Sequence, residues 1–283
     1  MVISKYLYEV GKFPYEDRIE LLEDRSTYMT ADYIDKFRDE INRIKLDGRV
    51  GVMYAAGASL HQGESRNYTG QYTNTLEIQP SGPIIKELTA YMLHKYIGLL
   101  NDKNDVVYAN INSNTCASSM YSIWEAKQLI DNGTIDHAVI ISEEKTSFNT
   151  IRIFYEHHIN VRPGEGFALI VVSKDGEGVP LLDAKWEYSY NRNPFLVNTD
   201  GYTKVKCECD IVKGHKTGTE QNDDAEREVF GHTVGFKDKI GHCQGASGLI
   251  ELCLALDNPA MQGKILCTAS GLGGFYGSCL VEK

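Results

Sequence analysis

The sequence predicts an α/β fold, because short apolar runs alternate along it with longer segments of helical periodicity. Arg49–Ala56 is an apolar run bounded by glycines, which is typical of a buried strand, and Ile84–Leu100 has the apolar spacing of a helix. The chain has 283 residues, of which 42% are hydrophobic and 24% are charged. This length and composition are those of a globular protein with a sizeable core.

The same alternation continues along the whole chain. In the first half it predicts these further elements: a helix at Ala31–Lys45, a strand at Asp105–Asn112, a helix at Ala117–Asp131, and strands at His137–Ser142 and Phe167–Ser173. In the second half it predicts strands at Leu181–Tyr190, Cys209–Lys213, His232–Phe236, Ile265–Ala269 and Gly277–Val281, and helices at Asp223–Val229 and Gln244–Ala255. Each half thus contains a few strands with crossing helices, which indicates a weak internal duplication. We predict a division into residues 1–176 and 177–283.

Composition disfavours several classes of protein. The formal net charge of −10 disfavours non-specific binding to nucleic acid. The seven cysteines have no disulfide-framework spacing, and Met1–Phe13 lacks the basic and apolar regions of a signal peptide. No stretch approaches the roughly 18 consecutive apolar residues of a membrane span. We therefore expect a cytoplasmic protein without a membrane span.

Cys116 is the candidate nucleophile. The segment NINSNTCASSMYSIWEAKQLI, residues 110–130, runs from an apolar strand through polar residues into a helix, which predicts a tight turn at Cys116. The start of a helix has unpaired N–H groups and partial positive charge, so we expect a lowered thiol pKa there. The backbone N–H of Cys116 would supply half of an oxyanion hole. The alternative is a small buried cysteine without a chemical role.

Two later segments place histidines at strand ends. Residues 213–226 read KGHKTGTEQNDDAE and deliver His215 onto a Thr/Gly-rich turn before a helix. Residues 236–248 read FKDKIGHCQGASG and deliver Lys237 and then His242 onto a second turn. A thiolate with two imidazoles suits acyl transfer followed by carbanion chemistry, because the rings can donate hydrogen bonds to a thioester carbonyl and to an enolate.

These segments resemble the β-ketoacyl-acyl-carrier-protein synthases, the ketosynthases of fatty-acid and polyketide assembly. The run TCASS at 115–119 fits the nucleophile turn of that family. The first histidine motif of the family, H-G-T-G-T-x-x-[GN]-D-x-x-E, is matched by His215, Thr217, Gly218, Thr219, Asn222, Asp223 and Glu226. The second, K-x-x-x-G-H-x-x-x-A-[AS]-G, is matched by Lys237, Gly241, His242, Ala246, Ser247 and Gly248. GEGFA at 164–168 and TASGLGG at 268–274 resemble two further motifs of the family.

The resemblance implies a thiolase-like fold, with five αβαβα layers built from two pseudo-duplicated halves. The first half would carry the nucleophile and the second both histidines. It implies that Cys116 is acylated, that His215 and His242 bind a malonyl thioester and support its decarboxylation, and that Lys237 holds His242 and the local charge. It also implies substrate binding by four residues: Thr217, Thr219, Leu272 and Gly273. Asp223 and Glu226 would support the site without contacting substrate.

The resemblance implies partners as well. Acyl groups would arrive on the phosphopantetheine arm of an acyl carrier protein or on coenzyme A, and we expect no resident cofactor and no metal. Thiolase-fold proteins form dimers through the strand that precedes the nucleophile, which is Asp105–Asn112 here. We therefore expect a homodimer, or a heterodimer with a related ketosynthase-like subunit.

Three departures from the family pattern leave the reaction open. Lys216 replaces a glycine, Leu272 replaces an aromatic residue, and the 99 positions from Cys116 to His215 (215 − 116) are fewer than the family usually has. These departures favour a secondary-metabolite pathway over housekeeping fatty-acid synthesis. Two alternatives stay open: an acyltransferase that forms an ester or amide, and a non-catalytic partner subunit of another ketosynthase.

Two competing kinds of site are disfavoured by the spacing. Cys207 and Cys209 with His215 lack a fourth ligand for zinc. Gly271, Gly273 and Gly274 have the spacing of a dinucleotide loop, but the residues that follow are typical of a strand and not of a helix.

Overall fold

The structure is a computed structural model that describes residues 1–11, 33–57, 82–144, 163–193 and 196–283, without the side chains of 82–89. The helices in these ranges are α1 (Tyr33–Lys36), α2 (Arg38–Asn42), α3 (Gly82–Leu100), α4 (Ser118–Asp131), α5 (Thr199–Val205), α6 (Glu220–Phe230), α7 (Lys237–Ile240) and α8 (Ser247–Asp257). The strands are β1 (Val2–Val10), β2 (Arg49–Ala55), β3 (Asp105–Asn112), β4 (His137–Glu144), β5 (Gly166–Ser173), β6 (Val179–Tyr188), β7 (Ile211–Lys213), β8 (Lys264–Gly271) and β9 (Phe275–Glu282). Among the described helices, none is long and apolar enough to cross a membrane.

The described strands form one sheet in the order β3-β2-β4-β5-β1-β6-β9-β8-β7. On one side of its centre, β2 is parallel to β3 and β4, and β5 and β1 follow in antiparallel pairs. On the other side, β7 is parallel to β8, and β9 and β6 follow in antiparallel pairs. Val234 forms a parallel bridge to Lys213 of β7, so it takes the place that β3 has beside β2. The strand order of one half is repeated in the other, which confirms the predicted duplication.

The two halves of the sheet meet where β1 pairs with β6. Among the described residues this junction consists of two pairs, Val2 with Pro180 and Ile3 with Val179. The predicted boundary between 176 and 177 falls in the turn from β5 to β6, and the division into two domains stays a prediction. Because the junction is so short, packing between helices and sheet must hold the halves together.

Helices α4 and α8 lie between the two halves of the sheet. α4 contacts β2 and β4 on one side and β6 and β9 on the other, while α8 contacts β5, β1 and β8. On one outer face, α3 packs with α2 against β2 and β3. On the other outer face, α5 and α6 cover β6 and β9. The layers are therefore helix, sheet, helix, sheet, helix, which confirms the five predicted layers.

Helix α8 belongs to the central layer because its sequence, SGLIELCLALD, is apolar on almost every face. Gly248 lets α8 approach α4 closely: a Cβ at this position would lie 2.9 Å from Met120 Cε and 3.0 Å from Ser119 Cβ. Ile123 of α4 and Leu249 of α8 are fully buried in the same central cluster. Apolar burial, worth about 25 cal/mol per Å², therefore joins the two halves through these helices.

Each half has one turn of 3-10 helix in front of its central helix. Thr115–Ala117 precedes α4, and Gln244–Ala246 precedes α8. Both turns begin with a non-glycine residue in the left-handed region, at φ +53° for Thr115 and +37° for Gln244. Such backbone costs roughly 1–3 kcal/mol and persists where the surroundings enforce it. The two turns contact each other, with Gly245 in the second at the position that Cys116 has in the first.

The predicted N-terminal elements differ most from the structure. No strand is predicted before residue 49, yet Val2–Val10 forms β1. Most of its side chains are half-buried and only Ile3 is fully buried, so it lacks the continuous apolar run of β4 or β5. Residues 33–42 of the single helix predicted at 31–45 form α1 and α2 instead, and Phe37 between them stacks on Phe167 at a centroid distance of 4.8 Å. Residues 31–32 lie outside the described residues.

Two further differences lie in the second half. The strand predicted at 232–236 is wrong, because Val234 alone forms a bridge and Lys237 begins α7. Helix α5 is not predicted, although Asn198 is a recognisable capping residue: its side chain accepts the N–H of Gly201 at 2.8 Å. The other predicted elements of the second half are confirmed within a few residues of their bounds.

The close approach of Gly245 to residues 56 and 57, which follow β2, predicts opposite effects for two glycine-to-alanine changes. A Cβ at Gly245 would lie 2.6 Å from Ala56 C and 2.8 Å from Gly57 Cα, so we expect Gly245→Ala to lower the free energy of unfolding by about 1–3 kcal/mol. Gly98 is exposed within α3 and has nothing within 4 Å of such a Cβ, so we expect Gly98→Ala to raise it by about 0.5–1 kcal/mol. Urea unfolding measures both, and equal effects would contradict the packing described for Gly245.

Candidate active site

Cys116 lies in the turn between β3 and α4, as the sequence predicts. Ser118 fixes this turn, because its hydroxyl lies 2.8 Å from Ala56 O and 2.7 Å from Thr115 O and accepts the N–H of Asn114 at 2.8 Å. As a whole residue Cys116 is half-buried, its thiol is desolvated, and it forms no disulfide.

Glu125 ties the strand before Cys116 to the helix after it. This glutamate of α4 is buried and accepts hydrogen bonds from three side chains of β3: Tyr108 at 2.9 Å, Asn110 at 2.7 Å and Asn112 at 2.8 Å. The polar residues between the apolar positions of β3 therefore orient the Cys116 turn.

His215 follows β7 and is held through its backbone. Glu226 of α6 accepts the N–H groups of His215 and of Lys216, the latter at 3.2 Å. Burial raises the pKa of Glu226, although these N–H groups oppose the shift. Lys216 has φ +47°, a conformation that favours glycine, and it stands where the motif that this segment resembles has glycine. Here a lysine adopts this strained backbone.

His242 follows α7 and Gly241, which has φ +78°. Its Nδ1 accepts the N–H of Gln244 at 2.9 Å, and Ser247 Oγ lies 3.3 Å away. Gly164, in the GEGFA run, packs against this loop so closely that a Cβ would lie 2.9 Å from Gly241 C. The GEGFA glycine therefore allows β5 to support the His242 loop.

The Cys116 turn and the two histidines converge. Cys116 Sγ and one ring nitrogen each of His215 and His242 all lie within 4.8 Å of one another. The two imidazole rings are nearly perpendicular, with centroids 5.3 Å apart. His215 is 3% exposed and His242 is 4% exposed, so both rings are desolvated. The three residues predicted as the reactive group thus lie together, although Cys116 belongs to one half of the fold and both histidines to the other.

A buried cluster of two lysines and one glutamate lies beside His215. Glu251 of α8 accepts Lys237 Nζ at Oε1 and Lys213 Nζ at Oε2, each at 2.5 Å. Lys237 Nζ also donates to His215 O at 2.5 Å and lies 3.5 Å from His215 Nδ1. The predicted contact of Lys237 with His242 is therefore corrected: the hydrogen bonds of Lys237 go to His215 and Glu251, while Gln244 holds Nδ1 of His242.

Both imidazoles are neutral near pH 7. Burial, followed by the positive charge of Lys237, holds the pKa of His215 and of His242 well below the ordinary histidine value, and Lys213 adds to the shift. A neutral imidazole has one N–H. Nδ1 of His242 accepts an N–H, and an N–H at Nδ1 of His215 would face an ammonium group. The proton of each ring therefore lies on Nε2, and each ring is arranged as a hydrogen-bond donor.

The expectation of a lowered thiol pKa is wrong. Burial raises the pKa of Cys116 to about 12, and the carboxyl groups of Glu144 and Glu251 act in the same direction, whereas the Lys237 ammonium opposes them. Desolvation at this site thus outweighs the partial charge at the start of the helix. The free protein holds Cys116 as a thiol.

One sulfur and two nitrogens at these distances have the composition of a zinc site. A histidine that binds a metal normally donates its other N–H to an acceptor. Here Nδ1 of His242 receives a hydrogen bond and Nδ1 of His215 faces Lys237, so both rings have their proton on Nε2. A ring with its proton on Nε2 can donate a hydrogen bond into the site from that nitrogen, but it cannot bind a metal ion there.

The other predicted site residues lie in two loops. Thr217 and Thr219 follow His215, with their hydroxyl oxygens 2.8 Å apart. Asp223 of α6 lies 3.8 Å from Lys216 Nζ. Leu272, which is 45% exposed, and Gly273, with φ +93°, form the turn from β8 to β9.

Gly271 places the β8–β9 turn against the nucleophile turn, since a Cβ on it would lie 2.6 Å from Asn114 O. A strand, β9, follows this glycine-rich turn, so the structure agrees with the sequence in disfavouring a dinucleotide loop. The substrate-binding roles of Thr217, Thr219, Leu272 and Gly273 stay predictions.

Besides Glu125, three buried charged residues around the site are absent from the sequence prediction: Lys213, Glu251 and Glu144. Each interrupts or ends an apolar element, and a charge in such a position is the signal that could have identified them. Glu144, the last residue of β4, is 1% exposed. Burial raises its pKa well above the ordinary value, although the N–H groups of Gly57 and Gly245 oppose the shift.

The raised pKa of Cys116 predicts slow alkylation. At pH 8 we expect iodoacetamide to modify Cys116 at least about tenfold more slowly than a thiol of ordinary pKa. The rate should rise with each pH unit up to about pH 11, because the thiolate is the reactive form. Lys237→Met should slow the reaction further, since the ammonium group lowers the pKa. Peptide mass spectrometry measures the modified fraction, with Cys116→Ser as the control; fast modification at pH 7 would contradict the raised pKa.

The shared carboxylate predicts a large loss of stability in Glu251→Gln. This change leaves Lys213 and Lys237 buried without a counter-charge, so we expect the free energy of unfolding to fall by about 3–5 kcal/mol. Glu125→Gln makes the same chemical change at a buried glutamate that accepts from neutral side chains, and it should cost only about 1–2 kcal/mol. Urea unfolding compares the two; a cost for Glu251→Gln no greater than that for Glu125→Gln would contradict the cluster's role.

No family model and no curated protein sequence matches the chain. Solved structures do match. The ishigamide ketosynthase/chain length factor has 16% sequence identity over 84% of this chain and 76% of its own, with a TM-score of 0.61. The structure of a ketosynthase in complex with its chain length factor from Xenorhabdus doucetiae has 17% identity over 97% of this chain and 84% of its own, with a TM-score of 0.63.

A β-ketoacyl synthase from Burkholderia phymatum has 16% identity over 84% of this chain and 76% of its own, with a TM-score of 0.58. At these identities the comparison concerns the fold. Together with the repeated strand order and the five layers, it shows that this is a compact, divergent chain with the thiolase-like fold that ketosynthases and chain length factors share.

Proposed function

We propose that the protein is a ketosynthase-like condensing enzyme. It takes an acyl group from an acyl carrier protein onto Cys116 and condenses it with a malonyl-carrier protein, releasing CO2, in polyketide or other secondary-metabolite biosynthesis. The observation that carries this proposal is the pair of buried imidazoles beside a thiol, with Nδ1 of His242 accepting the Gln244 N–H and Nδ1 of His215 facing Lys237, which leaves Nε2 of each ring to donate.

In the first step, the acyl thioester exchanges its thiol. The Cys116 sulfur attacks the thioester carbonyl, the bond to the carrier sulfur breaks, and the thiol proton ends on the departing carrier thiol. The charge that develops on the carbonyl oxygen is stabilised by N–H groups at the Cys116 turn, which lies at the start of α4. The imidazoles take no proton at Nε2 in this step, because that nitrogen already holds one.

In the second step, the malonyl thioester loses CO2 and its carbonyl becomes an enolate. Two N–H donors in a desolvated site stabilise this oxygen most strongly when it is charged, which is how such donors lower a barrier. The enolate carbon then attacks the acyl carbonyl on Cys116, and the thiolate leaves. The raised pKa of Cys116 favours rapid protonation of that thiolate from solvent, so the thiol is restored.

The geometry also supports pairing with a second chain through β3. This strand is the edge of the described sheet, and its residue Val107 is 49% exposed. An exposed edge strand has unpaired backbone groups that a second strand can satisfy. We propose a homodimer or a heterodimer with a related subunit, as in the ketosynthase structures that contain a chain length factor.

The two alternatives fit the site less well. A non-catalytic partner subunit needs no thiol, yet Cys116 lies with both imidazoles at the centre of the fold. An acyltransferase that forms an ester or amide needs a base for the incoming hydroxyl or amine, and both rings are arranged as donors instead.

The proposal predicts acylation of one cysteine. Incubation with an acyl-carrier protein or an acyl-coenzyme A should add the mass of the acyl group to the Cys116 peptide. Cys116→Ala should abolish the adduct, whereas Cys207→Ala, at another half-buried cysteine, should leave it unchanged. Wild-type protein should also convert malonyl thioester to acetyl thioester and CO2.

His242→Ala separates the two steps. Loss of one N–H donor should lower decarboxylation by roughly 10²–10³-fold while acylation of Cys116 persists. His242→Gln retains an N–H donor and should keep more of the decarboxylation. Absence of any acyl adduct with every donor tried would exclude the enzyme, and acylation without decarboxylation by the wild type would favour plain acyl transfer.

A further inference from the structure

Lys213 is a fully buried lysine at the end of β7, two residues before His215. Its Nζ donates to Glu251 Oε2 at 2.5 Å and to Thr268 O at 3.1 Å. Burying an ammonium group costs several kcal/mol unless partners compensate for the lost water. A second lysine, Lys237, already pairs with the same glutamate. One lysine is enough to balance the Glu251 charge, so charge balance does not explain why Lys213 is buried there as well.

The way the carboxylate is shared limits where Lys237 can donate. Lys213 occupies Oε2 of Glu251, so Lys237 Nζ uses only Oε1, at 2.5 Å. An ammonium group has three N–H donors. The remaining donors of Lys237 point to His215, with O at 2.5 Å and Nδ1 at 3.5 Å. If Oε2 were vacant, the carboxylate could draw a second N–H of Lys237 away from the histidine.

The contact with Lys237 decides which nitrogen of His215 holds the proton. An N–H at Nδ1 would point at an ammonium group, so the proton is confined to Nε2. The ring can donate a hydrogen bond to an enolate only from a nitrogen that has a proton. We propose that Lys213 is a positioning residue: by holding Oε2 of Glu251, it directs Lys237 onto Nδ1 of His215 and so keeps the His215 proton on Nε2. The effect of Lys213 on catalysis rests on the function proposed above.

The first test reads the tautomer and requires no activity. In protein labelled with ¹⁵N-histidine, a ring with one fixed tautomer gives two well-separated nitrogen shifts, and a ring that exchanges between tautomers gives averaged ones. We expect a fixed Nε2–H form of His215 in the wild type, with its resonances assigned by their loss in His215→Gln. In Lys213→Met, which retains length without charge, we expect the two shifts to move toward each other.

A control and a second variant complete this test. Val212→Ala disturbs the same strand without a change of charge and should leave the His215 shifts as in the wild type. If Lys213→Met does not fold, Lys213→Gln removes the charge but retains a donor, and it should show a smaller movement in the same direction. Unchanged shifts in the folded variant, or equal movement in Val212→Ala, would overturn the proposal.

The second test separates the two chemical steps. In Lys213→Met we expect malonyl decarboxylation to fall roughly tenfold, a part of the hundredfold or more that one well-placed donor supplies. Acylation of Cys116 should change less than about twofold, because it does not use the Nε2 proton of His215. Equal loss in both steps would indicate a general structural role and overturn the proposal. If the wild type performs neither step, the proposed function fails, and the nitrogen shifts alone decide the role of Lys213.

Discussion

The carboxylate of Glu251, shared between two buried ammonium groups, is the interaction on which the candidate site depends. It extends from the central helix α8 to the end of β7 through Lys213 and to α7 through Lys237. Three elements of the second half are therefore joined at one point beside His215. Because none of the three side chains has access to water, the two ammonium groups depend on the one carboxylate, and movement of any of the three leaves a buried charge unpaired.

The electrostatics of the cluster explain the protonation of the reactive groups. Two lysines against one glutamate leave positive charge next to the imidazoles, which helps burial to keep both rings neutral. The same burial keeps Cys116 as a thiol, although Lys237 opposes this effect. The described side chains of the site are thus shielded from solvent, and its hydrogen-bond donors are held in fixed orientations. Such preorganised donors are worth most where charge develops during a reaction.

The sequence predicted the α/β class, the duplication and the group of Cys116, His215 and His242, because these follow from local patterns and ordered motifs. It could not predict β1, whose half-buried residues carry no apolar run and which is held as a strand by pairing with β5 and β6. It also placed Lys237 on the wrong histidine, since that choice depends on which ring lies next to α7 in space. The thiol pKa was wrong because helix-start partial charge is visible in sequence, whereas desolvation is a property of the assembled site.

The close approach of α4 and α8 at Gly248 has a consequence for how this protein can change during evolution. Cys116 and the two imidazoles come from different halves, and within the described ranges the sheet joins those halves through two residue pairs. The separation of sulfur and nitrogen atoms is therefore set by how deeply one helix nests against the other. Small residues such as Gly248 and Ser119, which lie at that contact, therefore determine the geometry of the reactive groups although they take no part in the chemistry. A larger side chain in one helix would need a compensating change in the other, so at this contact neither half can change alone.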